Sequence, residues 1–373
     1  MSSVYFLTGA TGAVGAAVVP EIMKYPDAKL WLLIRAADDE HLRSRFEELL
    51  NFWDFKFQDV HDRLIPVRGD ISEPCFGLET GVYDRLTESC THIIHCAGNV
   101  RMNLPLNEAR KSSLNSSENI VRLGEICQRN RRLQKIEFVS TVGVGGKMRG
   151  AVPERFITEA RSFHNTYEQA KAEAEEYIKP YMDHGLPITV HRPSMVVGDA
   201  QSGKIIHFQI FYHLCEFLSG RRTMGFLPGL KGKVLDIVPV DYVSRALVWS
   251  SRNKETAGQV LHLCSGPEKA MDMQKLMHRV RKIYSSAGIK VPIPKVIPLR
   301  IFRAALPGIR LLVPAGAKRA VRALPLFLDY LGERQVFENE KSITMLQSYQ
   351  AEKLWDENLV DNVLSFYLKQ RYN

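Results

Sequence analysis

The chain has 373 residues, 45% hydrophobic and 24% charged, with 50 Lys and Arg against 41 Asp and Glu and a formal net charge of +9. This balance excludes a disordered polymer, and the length predicts one large core with a smaller lobe attached. The positive charge fits nucleic acid, an anionic membrane surface or phosphorylated substrates, but no homeodomain, zinc-finger or RNA-recognition signature accompanies it, and nucleic acid is set aside.

Val4–Leu7 reads as a buried strand, Gly15–Lys24 as the helix after it and Lys29–Arg35 as a second strand apolar enough for a parallel sheet covered on both faces. A helical pattern follows over Arg43–Phe52, then a strand at Leu64–Val67 leading into Arg68-Gly69-Asp70. His92–Cys96, Lys135–Ser140 and Ile188–Arg192 are the fourth to sixth strands, with helical spacing between them. Strands and helices alternating in this way predict an α/β fold, a doubly wound parallel Rossmann sheet. After Gly198 the rhythm breaks: Ile205–Leu230 is rich in Phe, Tyr, Leu and Ile, Val234–Asp241 is strand-like, Val260–Leu263 is a short strand, and helical patterns dominate from Pro267. The division expected is a nucleotide-binding domain over 1–200, with 232–264 returning to it, and a smaller, mainly helical lobe from 201–231 and 265–373.

Six cysteines (75, 90, 96, 127, 215 and 264) form no Cys-x-x-Cys pair, as suits small buried hydrophobes in a reducing compartment. His164, His191, His207 and His213 lack metal-ligand spacing, so no metal is expected. The first strand starts beside Met1, leaving no room for a secretory signal, and no apolar run reaches the ~18–20 residues of a spanning helix. The expected location is the cytoplasm.

Two motifs carry chemistry. Thr8-Gly9-Ala10-Thr11-Gly12-Ala13-Val14-Gly15 follows the first strand and opens a helix. Glycines there allow backbone angles closed to other residues and let a dinucleotide pyrophosphate reach free N–H groups. Arg35 ends the second strand, where an acidic residue would hold the ribose 2′-hydroxyl of NAD; an arginine suits the 2′-phosphate of NADPH. Asp70, after the third strand, is placed to meet the adenine edge. Tyr167 and Lys171 stand one helical turn apart on one face, and Ser140-Thr141 close a strand 26 residues earlier. A hydroxyl, a phenol and an ammonium, whose charge is expected to lower the phenol's pKa, are what hydride delivery to a carbonyl needs.

These pieces resemble an extended short-chain dehydrogenase/reductase over roughly residues 3–265. The resemblance takes in His95-Cys96-Ala97-Gly98, Asn115, Arg192-Pro193-Ser194-Met195-Val196-Val197-Gly198 and Asp236–Val243. Asn165-Thr166-Tyr167-Glu168-Gln169-Ala170-Lys171 and Leu33-Ile34-Arg35-Ala36 are similar to fatty acyl-CoA reductases and carrier-thioester reductase domains. The resemblance implies that Thr141, Tyr167 and Lys171 are catalytic, that Asn115 helps order the site, and that Pro193, Ser194 and Met195 contact the nicotinamide amide. With Ile71, Ala97, Gly98, Asn99 and Ser140 they complete the expected cofactor wall. The last hundred residues match loosely, and Gly145-Gly146 replaces a Tyr-Gly common in sugar-nucleotide relatives.

The activity expected is NADPH-dependent reduction of an acyl-CoA or acyl-carrier thioester, long-chain above all, to the aldehyde, with onward reduction to the alcohol left open. The alternatives are a sugar-nucleotide epimerase or dehydratase and a non-catalytic NADPH-binding regulator. Ile205–Leu230 reads either as lobe core or as the wall of an acyl tunnel, with Arg221 and Arg222 either solvated or anchoring carrier phosphates. The basic, proline-broken 290–325 segment reads either as a packed lobe with a solvated face or as a peripheral membrane contact.

Overall fold

The computed structural model describes residues 3–102, 104–304, 336–346 and 358–372. Its centre is a seven-stranded sheet of β1 (Val4–Thr8), β2 (Lys29–Ile34), β3 (Leu64–Arg68), β4 (His92–His95), β5 (Lys135–Val139), β6 (Ile188–Pro193) and β7 (Val260–Leu263). Their spatial order is β7-β6-β5-β4-β1-β2-β3, every neighbouring pair parallel. The order reverses between β1 and β4, the switch point at whose carboxyl strand ends sheets of this kind form a ligand crevice.

Helices cover both faces because the sheet as a whole turns apolar side chains to either side. On one side α1 (Ala13–Met23) packs against α5 (Val240–Ser251) over Tyr5, Leu7, Leu30 and Leu32. On the other, α2 (Leu106–Arg129) packs against α3 (Thr166–Asp183) over Phe6, Ile93, Ile136 and Phe138. The strand expected over Val234–Asp241 is shorter than its apolar run. Val234–Leu235 and Ile237–Pro239 form two separate two-stranded ribbons, and α5 begins at Val240. Asp241 explains the change: its carboxylate accepts the Ala200 N–H at 2.9 Å and sits in the first turn of a helix, where the dipole favours it.

A second core lies between α4 (Ile210–Leu218), α6 (Met273–Ser286) and α7 (Leu359–Tyr372). Phe211, Tyr212, Leu214, Phe217 and Leu218 are buried in it, and Phe208 packs edge-on to Tyr212 and Tyr367. Most of the 205–230 segment is therefore lobe core, not tunnel wall: its side chains are spent on α6 and α7. Arg222 pairs with Glu216, and Arg221 donates to the Tyr372 hydroxyl at 2.6 Å. Of the basic 290–325 stretch, 305–325 lie outside the described residues. No described helix is long and apolar enough to cross a membrane.

Candidate active site

The crevice begins at the glycine turn. Gly9 has φ +81°, and a Cβ on it would lie 2.7 Å from the Ala97 nitrogen. A Cβ on Gly15 would lie 2.1 Å from the Gly9 carbonyl oxygen, so a side chain there would split the turn from the helix. Gly12 caps α1 with no side-chain bond and the first turn carries no acidic residue. The helix end thus offers unpaired N–H groups and its positive pole to an anion. Thr8 is buried beneath this turn: its hydroxyl meets His95 Nδ1 at 2.8 Å and accepts the Ala97 N–H at 3.3 Å, fixing the loop of Ala97, Gly98 and Asn99. Thr11, Ala13 and Val14 lie in the same turn and first helical residues.

At the other end, Arg35 is exposed, with its guanidinium 3.8 Å from an Asp70 oxygen. The second Asp70 oxygen accepts the Ser72 N–H at 2.9 Å and hydroxyl at 2.7 Å. Burial pushes this carboxyl up, but the Ser72 bonds with the Arg35 and Lys111 charges outweigh it, and Asp70 stays ionised below its ordinary value. Asn119 donates to the Ile71 carbonyl at 2.9 Å and Asn115 to the Ser72 carbonyl at 3.5 Å. Asn115 therefore braces the loop after β3.

The candidate reactive groups converge from β5 and α3 beside the loop after β4. Ser140 follows β5, its backbone N–H bonded to the His191 carbonyl at 2.7 Å and its buried hydroxyl without a partner among the described residues. Thr141 caps a short turn by accepting the Gly143 N–H at 3.1 Å. Asn165 caps α3 by accepting the Glu168 N–H at 3.0 Å, while the Glu168 carboxylate reaches back to the His164 N–H at 3.0 Å and ring nitrogen at 2.9 Å. This reciprocal capping fixes the turn that carries Tyr167. Four residues on, the Lys171 ammonium donates to the Val139 carbonyl at 3.0 Å, and a Cβ on Gly98 would lie 3.2 Å from it.

Burial sets the proton affinities. It pushes the Tyr167 phenol up to about 12, against the lowering effect of its hydrogen bond with Thr141. The expected lowering by Lys171 is absent, because that ammonium is turned to Val139. Burial also brings Lys171 down to about 8, opposed by the charge of Glu175.

The sequence reading missed what stands behind these groups. Tyr167, Lys171 and Glu175 form one stripe along α3, and Glu175 accepts from Arg192 Nε at 3.0 Å and Nη2 at 2.6 Å. Arg192 is fully buried and also reaches the Pro153 carbonyl and His262 Nε2, each at 3.2 Å. The strand then delivers Pro193, Ser194 and Met195; the Ser194 N–H bonds the Leu263 carbonyl at 3.0 Å and the Met195 N–H the Asp236 carbonyl at 3.3 Å. The four-residue spacing from Lys171 to Glu175 was the available signal, but a surface pair would share it.

The residues present fit a dinucleotide. Gly9 and Gly15 shape a cradle that a Cβ would fill, Gly98 leaves room beside Lys171, and the orphaned Ser140 hydroxyl lies buried next to them.

A family model described as "Male sterility protein", of the NAD-binding type, matches residues 7–247. Among curated proteins, the chain is 28% identical over 245 residues to isonitrile lipopeptide synthase of Streptomyces coeruleorubidus, covering 65% of this chain and 16% of that one. It is 26% identical over 284 residues to aldehyde reductase lnaA of Aspergillus flavus, covering 74% and 27%. The chain thus spans less than a third of the length of these relatives. Among solved structures, the terminal R domain from the myxalamid PKS-NRPS biosynthetic pathway superposes with a TM-score of 0.80 at 25% identity, covering all of this chain and 92% of that one. A thiolation-reductase di-domain from an archaeal non-ribosomal peptide synthetase shares the fold, with a TM-score of 0.76 at 19% identity over 100% and 76% of the two chains.

Proposed function

We propose, from the premise that this chain belongs to the male sterility protein family, an extended short-chain dehydrogenase/reductase group, that it reduces a lipophilic acyl thioester to the aldehyde with NADPH. A nicotinamide cofactor and oxidoreductase chemistry come with the family; the cofactor's phosphate, the substrate and the residue roles are our reading. The observation that carries it is the meeting of Thr141, Tyr167 and Lys171 beside Gly98 at the carboxyl end of the sheet.

Gly9, Gly12 and Gly15 with the α1 N-terminus would hold the pyrophosphate, Arg35 the 2′-phosphate, Lys171 the nicotinamide ribose, and Pro193 to Met195 the amide. Bound there, the cofactor supplies a hydride. Thr141 and Tyr167 hold the thioester carbonyl oxygen. As hydride reaches the carbonyl carbon, the π pair moves to oxygen and Tyr167 gives that oxygen its proton. A phenol near 12 is fully protonated at neutral pH and remains acid enough to quench an alkoxide. The phenolate regains its proton from solvent. The C–S bond of the hemithioacetal then breaks with its pair on sulfur, C=O re-forms, and the hydroxyl proton ends on the thiol. The products are an aldehyde and a free thiol, and the aldehyde fits the same groups for a second reduction to alcohol.

The thiol is read as the phosphopantetheine arm common to CoA and to a carrier domain, and the relatives' names favour the carrier. Partly exposed Met195 and Phe208 offer the acyl group an apolar wall, in favour of a long-chain substrate. The test is NADPH oxidation with carrier-bound and CoA thioesters of graded chain length, free aldehydes and UDP-sugars. The reading requires thioester-dependent oxidation, with aldehyde and thiol formed in equal amounts. Turnover of a UDP-sugar alone would overturn it.

A further inference from the structure

The chain's positive charge is not spread evenly. Residues 273–328 hold 12 of the 50 Lys and Arg residues and none of the 41 Asp and Glu residues, so the remainder of the sequence is slightly acidic. The described part of this stretch ends in an extended run, 289–298, and a helical start at 299–304.

That run is pinned to the turn after α4. Lys295–Ile297 pairs in parallel with Phe226–Pro228, and the Lys295 N–H bonds the Gly225 carbonyl at 2.7 Å. Gly225 has φ +87°, and a Cβ on it would lie 2.1 Å from the Ile293 carbonyl oxygen, so the two segments are locked together. The turn tip is Met224, at φ +50°, a backbone conformation that favours Gly or Asn. It is nevertheless an apolar side chain, 77% exposed. Ile293 opposite is 82% exposed, and Phe226, Val296 and Ile301 are exposed beside them. Isolated exposed hydrophobes are ordinary, but Phe226 and Val296 on this ribbon, Met224 and Ile293 leading into it and Ile301 in the helix that follows gather five along one short segment pair and mark an interaction surface. Lys290, Lys295 and Arg300 are exposed among them, and among the described residues no carboxylate pairs with any of the three.

We propose that Met224, Phe226, Ile293, Val296 and Ile301, rimmed by Lys290, Lys295 and Arg300, form a docking surface for an anionic lipid bilayer. Apolar side chains that protrude from a turn and an extended run suit insertion between headgroups, and a rim of cations with no carboxylate partner among the described residues suits lipid phosphates. An acidic protein partner would match the charge but would leave protruding Met224 and Ile293 without a pocket. The proposal goes beyond thioester reduction and is read without any substrate.

The test is flotation of the full chain with vesicles of phosphatidylcholine alone and of phosphatidylcholine with anionic phosphatidylglycerol. Two variants are compared, Met224→Ser/Ile293→Ser and Lys290→Glu/Lys295→Glu/Arg300→Glu, each checked for unchanged melting temperature. The expected result is binding to anionic vesicles that falls at least tenfold in either variant and in high salt. No binding of the unmodified chain to anionic vesicles would overturn the proposal, as would equal binding to neutral ones. Retention of an acidic carrier protein but not of vesicles, lost in the same variants, would also overturn it and make the face a protein interface.

Discussion

Glu175 and Arg192 face each other inside the protein through two hydrogen bonds, at 3.0 and 2.6 Å, joining the helix of Tyr167 and Lys171 to the strand that leads to Pro193. Both side chains are withdrawn from solvent. The pair holds the helix of Tyr167 in register with the strand that leads to Pro193, and removing one partner strands the other charge. Glu175→Leu or Arg192→Met is expected to cost roughly 3–5 kcal/mol, and the two together less than the sum. Urea unfolding of the three variants measures this. Single losses under about 1 kcal/mol would show that the pair adds little.

Tyr167→Phe removes one hydroxyl. Turnover is expected to fall by roughly 10²–10⁴ with NADPH binding unchanged. Lys171→Ala is expected to lose turnover and to weaken NADPH binding as well. Steady-state rates with fluorescence titration of the cofactor separate the two effects; near-normal turnover of Tyr167→Phe would place the chemistry elsewhere.

The pH dependence follows from Lys171, held at about 8 by burial. Below that pH the ammonium is present and can bond the ribose; it is lost as pH rises through 8. kcat/KM for the cofactor is expected to decline above about pH 8, and the decline to vanish in Lys171→Ala. The stability effect has the opposite sense. The folded value lies below the ordinary lysine value, so the folded state binds fewer protons between the two, and the contribution of Lys171 grows as pH rises through that window. A cofactor profile flat to pH 10 would exclude this role.

Cofactor choice rests on Arg35, exposed at the end of β2 and loosely engaged with Asp70. NADPH is expected to be preferred over NADH by tenfold or more, at least ~1.4 kcal/mol, and Arg35→Asp to abolish the preference. Equal kcat/KM for the two cofactors in the unmodified chain would refute the assignment.

The sheet was legible because its signals are local. Each of its first six strands is a run of four to six residues that holds at least two of Val, Ile, Leu and Phe, and Val260–Leu263 was placed to the residue. The glycine turn and the Tyr167–Lys171 spacing were legible for the same reason. The buried polar frame was not, since Glu175 and Arg192 meet across 17 residues and Arg192 and His262 across 70. Asp241 misled in the same way: its partner, the Ala200 N–H, lies 41 residues away, and its run of β-branched neighbours reads as strand. The Lys171 ammonium turns to Val139, a backbone carbonyl that no side-chain pattern announces.

The segment 336–346 returns to the edge of the sheet. Glu154 accepts the backbone N–H groups of His262 at 3.0 Å and Lys341 at 2.8 Å, and His262 Nδ1 meets the Glu338 carbonyl at 2.7 Å. Farther along, Asn362 donates to the Ala200 carbonyl at 2.9 Å. A chain cut at residue 304 would thus leave Glu154 and His262 with open bonds at β7, three contacts from Lys171 by way of Arg192 and Glu175. The seven-stranded half is not a detachable cassette: grafted onto another lobe, it would need 336–346 carried with it.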